Sequence, residues 1–114
     1  MKINGVRVWV DDMAAAKRFY EETLGLKVRW DMDVAVGYDL GTDLIVEKDD
    51  GSHEGESLVG RFVGASIQVD DIQATYEALS AEGVPFLGAP EKMFWGGTLA
   101  HFKDPAGNTL TLLQ

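Results

Sequence analysis

The sequence Val8-Trp9-Val10-Asp11-Asp12-Met13 returns in nearly the same form as Ile67-Gln68-Val69-Asp70-Asp71-Ile72. In both stretches aliphatic residues alternate with residues of other types, and a period of two is typical of a half-buried β-strand. Aspartate is a favoured residue at a helix N-terminus, so each strand is predicted to lead into a helix. The chain therefore predicts two copies of one small unit, and any site is expected to involve equivalent positions of both copies.

The predicted helix of the first copy follows Asp11 and ends at Gly25, because an aspartate cap opens a helix and a glycine commonly closes it. Its apolar residues recur every three or four positions and form one stripe: Met13, Ala16, Phe19, Tyr20 and Leu24. Alternating and β-branched stretches then predict strands at about 27–32, 34–40 and 43–48.

The second copy repeats this order. Asp70 and Gln73 have the spacing of a capping box, and the following helix is predicted to end at Gly83, with this apolar stripe: Ile72, Tyr76 and Leu79. Strands are predicted at about 84–88, 98–103 and 108–113. Between the copies, residues from about 48 to 58 are expected to form a solvated acidic connector; the carboxylates in and beside it are Glu47, Asp49, Asp50, Glu54 and Glu56.

Length and composition limit the possible functions. A chain of 114 residues with 46% hydrophobic content suits one domain over 1–114, with module one at about 1–50 and module two at about 59–114. Without cysteine, disulfides and thiolate ligands are excluded. A formal net charge of −9 disfavours nucleic acid and anionic membranes as partners. No segment resembles a signal peptide or a membrane span, so the protein is predicted to be cytoplasmic.

Two βαβββ modules predict an α+β fold in which one face of each sheet packs against helices. Strand residues of the opposite parity point to the other face. If Val8 and Leu110 face the helices, the other face carries side chains that are too polar for an ordinary core: Arg7, Trp9, Glu47, Ser66, Gln68, His101 and Thr111. This face is therefore predicted to line a partly hydrated cavity for a small-molecule ligand.

Three motifs resemble the vicinal-oxygen-chelate superfamily, which includes glyoxalase I, extradiol dioxygenases and bleomycin-resistance proteins. They are Leu24-Gly25-Leu26, Trp95-Gly96-Gly97 and Phe102-Lys103-Asp104-Pro105-Ala106-Gly107-Asn108. The resemblance covers essentially the whole chain. It implies that the two modules curl into a half-open mixed-sheet barrel with helices on the outer face. In this superfamily a second subunit commonly completes the barrel, so a homodimer is expected.

Enzymes of this superfamily usually hold a divalent metal through His and Glu side chains on the first and last strands of the modules. The resemblance assigns these positions to Gly5, Ile45, Gly64 and Thr111. Glycine and isoleucine offer no side-chain ligand atom, and a lone threonine hydroxyl is a poor ligand for zinc or iron. No metal or other cofactor is therefore expected, and the glyoxalase and dioxygenase reactions are disfavoured.

The candidate ligand-binding residues have more than one interpretation. His101 is either a hydrogen-bonding or acid/base group of the site or a structural strand histidine. Arg7, expected to be buried, needs an anion, which is either Glu47 or a group on the ligand. Trp9 and Trp95 offer flat faces to an aromatic or cationic ligand, although Trp95 also belongs to a glycine-rich turn.

Three functions are compatible with the sequence. The first is a metal-independent binding protein of the bleomycin-resistance type, which sequesters an aromatic or cationic small molecule in the clefts of a homodimer. The second is a glyoxalase-like lyase or dioxygenase with an atypical metal or acid/base site that uses His101 and Glu47. The third is a vestigial cavity in a protein whose dimer surface carries the function. No catalytic residue is assigned.

Overall fold

The computed structural model describes residues 1–53 and 55–114; Glu54 of the predicted connector lies outside the described residues. Helix α1 (Met13–Lys17) continues as a π-helical segment (Arg18–Thr23), and helix α2 covers Ile72–Ala81. The strands are β1 (Gly5–Val10), β2 (Val28–Asp31), β3 (Ala35–Leu40), β4 (Thr42–Lys48), β5 (Phe62–Gln68), β6 (Glu91–Lys92), β7 (Thr98–Lys103) and β8 (Thr109–Leu113). In the described part of the chain, no helix has the length and apolar character needed to cross a bilayer.

The strands form two four-stranded sheets of the same topology. Sheet one has the order β1-β4-β3-β2, and sheet two has the order β5-β8-β7-β6. In each sheet the first strand pairs in parallel with the last strand of its module, and the other pairs are antiparallel. The sheets do not close into a barrel, so the predicted α+β fold of two βαβββ modules in a half-open arrangement is confirmed.

The predicted strand parity is confirmed where it decides the core. In sheet one, Val8, Val10 and Val46 are each 1% exposed on the side that faces the helices. Val6 has the same parity but is 36% exposed, because it lies where β1 borders a gap to the second module. The opposite side of each sheet, which we call the open face, carries the residues of the other parity.

The two modules share one hydrophobic core. The ring of Phe19 lies 6.3 Å from that of Phe102 on β7, and the ring of Tyr20 lies 5.7 Å from that of Tyr38 on β3. Both Phe19 and Tyr20 belong to the π-helical segment, whose wider turn places these neighbours in the core together. Helix α1 therefore connects the helix-facing sides of both sheets in one cluster.

The turn between β7 and β8 joins the modules through a buried carboxylate. Asp104 is 4% exposed and accepts a hydrogen bond of 2.7 Å from the Tyr20 hydroxyl. It also accepts from the backbone N–H groups of Ala106 and Asn108 and from Asn108 Nδ2. The same Nδ2 donates to the carbonyl of Trp9 on β1, so this turn contacts both β1 and the first helix.

Some predicted boundaries are wrong. The N-caps are Asp12 and Asp71, one residue after Asp11 and Asp70, and each accepts a 3.0 Å hydrogen bond from the N–H three residues later. Gln73 bonds Glu77 on the next turn, so the predicted capping box does not form. In each pair the second aspartate is the cap, because backbone pairing of the preceding strand continues to the residue before the first aspartate, Val10 in one module and Val69 in the other.

The strand predicted at about 84–88 does not form either. Phe86 makes an isolated bridge with Phe102, and the edge strand of sheet two is the short β6 further along the chain. The backbone pairing of this segment is limited to that bridge, in which the Leu87 N–H donates to the His101 carbonyl and the Lys103 N–H donates to the Pro85 carbonyl.

The caps give a prediction with an internal control. Replacing Asp12 or Asp71 with Ala is expected to lower the free energy of unfolding by about 1 kcal/mol, because a helical N–H loses its acceptor. Replacing the neighbouring Asp11 or Asp70 with Ala is expected to change it by less than about 0.5 kcal/mol. Urea unfolding of the four variants measures both effects; equal losses at neighbouring positions would contradict the cap assignment.

The Tyr20–Asp104 contact predicts a loss of stability at alkaline pH. Burial, together with the Asp104 carboxylate, raises the pKa of Tyr20 above its ordinary value of 10.0. The unfolded chain therefore loses the phenol proton first, and stability is expected to fall as pH rises above about 10, by about 1.4 kcal/mol per pH unit for this group. Tyr38, whose pKa burial also raises, adds to the fall.

Urea midpoints measured between about pH 8 and 11 test this dependence. Tyr20→Phe is expected to be less stable at neutral pH by about 1–2 kcal/mol, because Asp104 loses a donor. The variant is also expected to show a shallower alkaline slope. An unchanged slope would mean that the Tyr20 proton is not linked to folding.

Candidate functional site

Strand register assembles the candidate residues of sheet one. On its open face, Trp9 lies opposite Glu47, and Arg7 lies opposite Ile45, because β1 and β4 pair in parallel. Arg7 donates to Glu47 from Nε at 3.2 Å and from Nη2 to both carboxylate oxygens at 3.0 Å. The guanidinium carbon lies 4.8 Å from the centroid of the Trp9 ring. Three of the predicted ligand-binding residues therefore form one contact group.

The contacts of this group show that Arg7 is not buried and that its anion is Glu47. The Arg7 side chain is 53% exposed, so it is not the buried guanidinium that the sequence predicts. Its anion is Glu47, whose side chain is 28% exposed. One side of Trp9 contacts Arg7, and the Trp9 and His53 rings are T-shaped to one another, with 5.9 Å between their centroids. His53 is therefore more than a solvated side chain, although it is exposed.

A second ion-pair group occupies the other end of the same face. Arg29 on β2 donates to Asp43 at 2.6 Å and pairs with Asp39 at 2.9 Å. Trp30 donates from Nε1 to Asp43 at 3.3 Å and lies flat over Gly37, which leaves no space for a side chain there. Arg29 is not among the predicted site residues, because its strand is short and its parity is interrupted by a bulge.

On the open face of sheet two, His101 and Thr111 form a hydrogen-bonded pair. Their register on β7 and β8 places them side by side, with 2.8 Å between His101 Nδ1 and Thr111 Oγ1. The Phe62 ring lies edge-on to the imidazole at 5.5 Å. Ser66 is the strand neighbour of Thr111 on β5. The histidine thus has a structural partner and keeps Nε2 for another contact.

The predicted residues line several recesses rather than one cavity within a single chain. Ser66 and Gln68 line a recess of about 420 Å³ between the modules. Arg7 and Trp9 line a recess of about 250 Å³ between β1 and the segment that leads into β5. His101 borders a third recess, of about 180 Å³. Trp95 is 53% exposed and its ring covers Gly97, in keeping with a role in the turn.

Comparison with known proteins identifies the family. The sequence profile of the Glyoxalase/Bleomycin resistance protein/Dioxygenase superfamily matches residues 2–112. The chain belongs to this superfamily. It is 30% identical to YetH of Bacillus subtilis over 127 aligned positions, covering 99% of this chain and 98% of that protein. It is also 30% identical to a bleomycin resistance protein of Klebsiella pneumoniae over 70 positions, covering 55% of this chain and 56% of that protein.

A solved structure of a superfamily member supports the same assignment. A superfamily member from Sphaerobacter thermophilus superposes with a TM-score of 0.86 at 27% identity, covering 99% of this chain and 96% of that one. The likeness extends over both modules.

The positions at which enzymes of this superfamily usually hold a metal do not fit a metal in this chain. A Cβ at Gly5 would lie 2.6 Å from Ile45 Cδ1, so the isoleucine side chain already lies over the glycine. Thr111 is 4% exposed and its hydroxyl is bonded to His101. Gly64 adds no donor. The four positions together present one hydroxyl group and no imidazole or carboxylate, which is not a ligand set for zinc, nickel or iron.

The packing of Ile45 over Gly5 predicts different responses at two equivalent glycines. Gly5→Ala is expected to lower the free energy of unfolding by about 1 kcal/mol through overpacking. Gly64→Ala, with no atom within 4 Å of the added Cβ, is expected to be neutral or stabilising by a few tenths of a kcal/mol. Adding Ile45→Val, which removes Cδ1, is expected to recover part of the Gly5→Ala loss, because the contact of the new Cβ with the Asp43 carbonyl oxygen at 3.1 Å remains. Thermal unfolding measures all three; equal effects of the two alanines would contradict the packing.

Proposed function

We propose that this chain is a metal-independent small-molecule-binding protein of the bleomycin-resistance type. It binds an organic ligand with an aromatic group against the Trp9 region of sheet one. The observation that carries this proposal is the packing of Ile45 over Gly5, because an aliphatic side chain fills the space in which a first-strand metal ligand would lie.

The residues that remain on the open faces suit binding better than metal chemistry. Trp9 and Phe62 line the same recess and offer aromatic surface, while Arg7 offers charged donors. Pockets for organic ligands are mostly apolar and carry a few well-placed polar groups. The similarity to the Klebsiella bleomycin resistance protein supports the same function. The alternative of a lyase or dioxygenase lacks the donor set for a metal at the four assigned positions.

A second copy of the chain completes the ligand cleft in this proposal. Each recess is open to solvent on one chain, and the open face of sheet two exposes a large apolar residue, Phe62, at 65%. Aromatic residues are enriched at the buried centres of protein–protein interfaces. A symmetric homodimer would bring the open face of sheet two of one copy towards sheet one of the other.

Metal content tests the proposal directly. Protein purified without chelator is expected to contain far less than one equivalent of Zn, Ni, Mn or Fe by mass spectrometry of the elements. Addition of each ion is expected to leave the melting temperature unchanged, because binding to the folded state alone would raise it.

A variant with added histidines serves as a positive control for the absence of metal binding in the natural chain. The variant Gly5→His/Gly64→His/Ile45→Val supplies two imidazoles and removes the obstructing methyl group, so it is expected to gain zinc-dependent stabilisation that the natural chain lacks. Stoichiometric metal in the natural protein, or a strong rise in its melting temperature with one of these ions, would contradict metal independence.

A further inference from the structure

The recess beside β1 has an unusual charge for so acidic a protein. It is lined by two arginines and two aromatic residues, Arg7, Arg61, Trp9 and Phe62, and no aspartate or glutamate lines it. The whole chain has a formal net charge of −9. We propose that the ligand of this recess, here named the arginine recess, is an aromatic oxyanion: its carboxylate or phosphate group binds Arg7 and its ring packs on Trp9. This inference rests on the proposed binding function.

The acidic residues on the open face of sheet one are already paired with arginines, which disfavours a cationic ligand. Glu47 is held by Arg7, and both Asp39 and Asp43 are held by Arg29. Within the described residues, every carboxylate on the β3 and β4 part of this face has a guanidinium partner. A cation would have to displace Arg7 from both Glu47 and the Trp9 ring. The cation–π position on that side of Trp9 is already occupied by the protein.

Arg7 retains donors for an anion. Its bonds to Glu47 use Nε and Nη2, and none of the described residues accepts a hydrogen bond from Nη1. A guanidinium carries five N–H donors in a fixed plane, so an arginine held by one carboxylate can still bind a second oxyanion. Glu47 and Trp9 hold this plane in place before the ligand arrives, which lowers the entropic cost of binding.

Arg61 is the second arginine that lines the recess. It precedes β5, donates from Nε to the carbonyl of Ser57 at 2.8 Å and pairs with Glu56 at 2.7 Å. Its side chain is 43% exposed. Asn108, which also lines the recess, is fully engaged: its Oδ1 accepts from the N–H groups of Gly60 and Arg61. Each arginine of the recess is thus paired with one glutamate, and Nη1 of Arg7 is the guanidinium nitrogen on which the proposal depends.

Three probes with the same ring and chain but different charge test the inference: 3-phenylpropionate, 3-phenylpropionamide and 3-phenylpropylamine. A fourth probe, phenyl phosphate, distinguishes a phosphate from a carboxylate as the favoured oxyanion. Binding is followed by NMR through the indole N–H signal of Trp9, assigned with Trp9→Phe. The acid or the phosphate is expected to bind at least about tenfold more tightly than the amine, because charge-assisted hydrogen bonds to arginine are lost with the cation.

Two substitutions test whether Arg7 is the residue that binds the oxyanion. Arg7→Gln is expected to weaken binding of the oxyanion about tenfold or more, with little change for the neutral amide. Arg18→Gln changes the net charge of the chain by the same amount on the exposed side of the π-helical segment, and it should leave all affinities unchanged. Because the Arg7–Glu47 pair is exposed, Arg7→Gln is expected to fold normally, which the amide spectrum checks.

The outcomes separate this inference from the function on which it rests. If the amide and the amine bind as tightly as the acid and the phosphate, or if Arg7→Gln and Arg18→Gln behave alike, the oxyanion inference is wrong and the binding function stands. If none of the four probes shifts the Trp9 signal at millimolar concentration, the proposed binding function fails and the inference fails with it.

Discussion

The buried carboxylate of Asp104 is the contact on which the arrangement of the two modules depends. It accepts four hydrogen bonds, from the Tyr20 hydroxyl, from two backbone N–H groups of its own turn and from Asn108 Nδ2. A carboxylate has about four lone-pair positions, so this group is satisfied without water. Satisfaction matters because an unpartnered buried polar group costs about 1–3 kcal/mol, and more when it is charged. The turn thereby holds the first helix, and through Asn108 it also holds β1.

Three glycines lie directly beneath large side chains. Ile45 lies over Gly5, Trp30 lies over Gly37, and Trp95 lies over Gly97. At Gly5 and Gly37 the absence of a side chain makes room for a bulky neighbour over the strand, whereas Trp95 and Gly97 belong to the turn before β7. The first of these contacts has a functional consequence, because it replaces a possible metal ligand with aliphatic surface. This contact is the basis of our proposal that the chain binds its ligand without a metal.

Much of the fold could be predicted because two periodicities dominate the sequence. Alternation placed Arg7, Trp9 and Glu47 on the open face of sheet one. It likewise placed His101 and Thr111 on the open face of sheet two, and the structure shows direct contacts within each group. The sequence pattern did not show at which residue each strand ends. The one-residue error at Asp12 and Asp71 arose because two adjacent aspartates are equally good caps by residue type. Only the end of the strand ladder distinguishes them.

The residues that sequence analysis missed, Arg29 and Arg61, share a reason. Arg29 lies on a bulged strand, and Arg61 lies just before β5, so neither has a parity from which its direction could be inferred. Both affect the charge of the open face and its recess, because Arg29 pairs with Asp39 and Asp43 and Arg61 lines the same recess as Arg7. The sequence left an aromatic or a cationic ligand open. The pairwise contacts favour our proposal of an oxyanion, since a carboxylate that is already bonded to arginine attracts a second cation weakly, whereas an arginine with unused donors still attracts an anion.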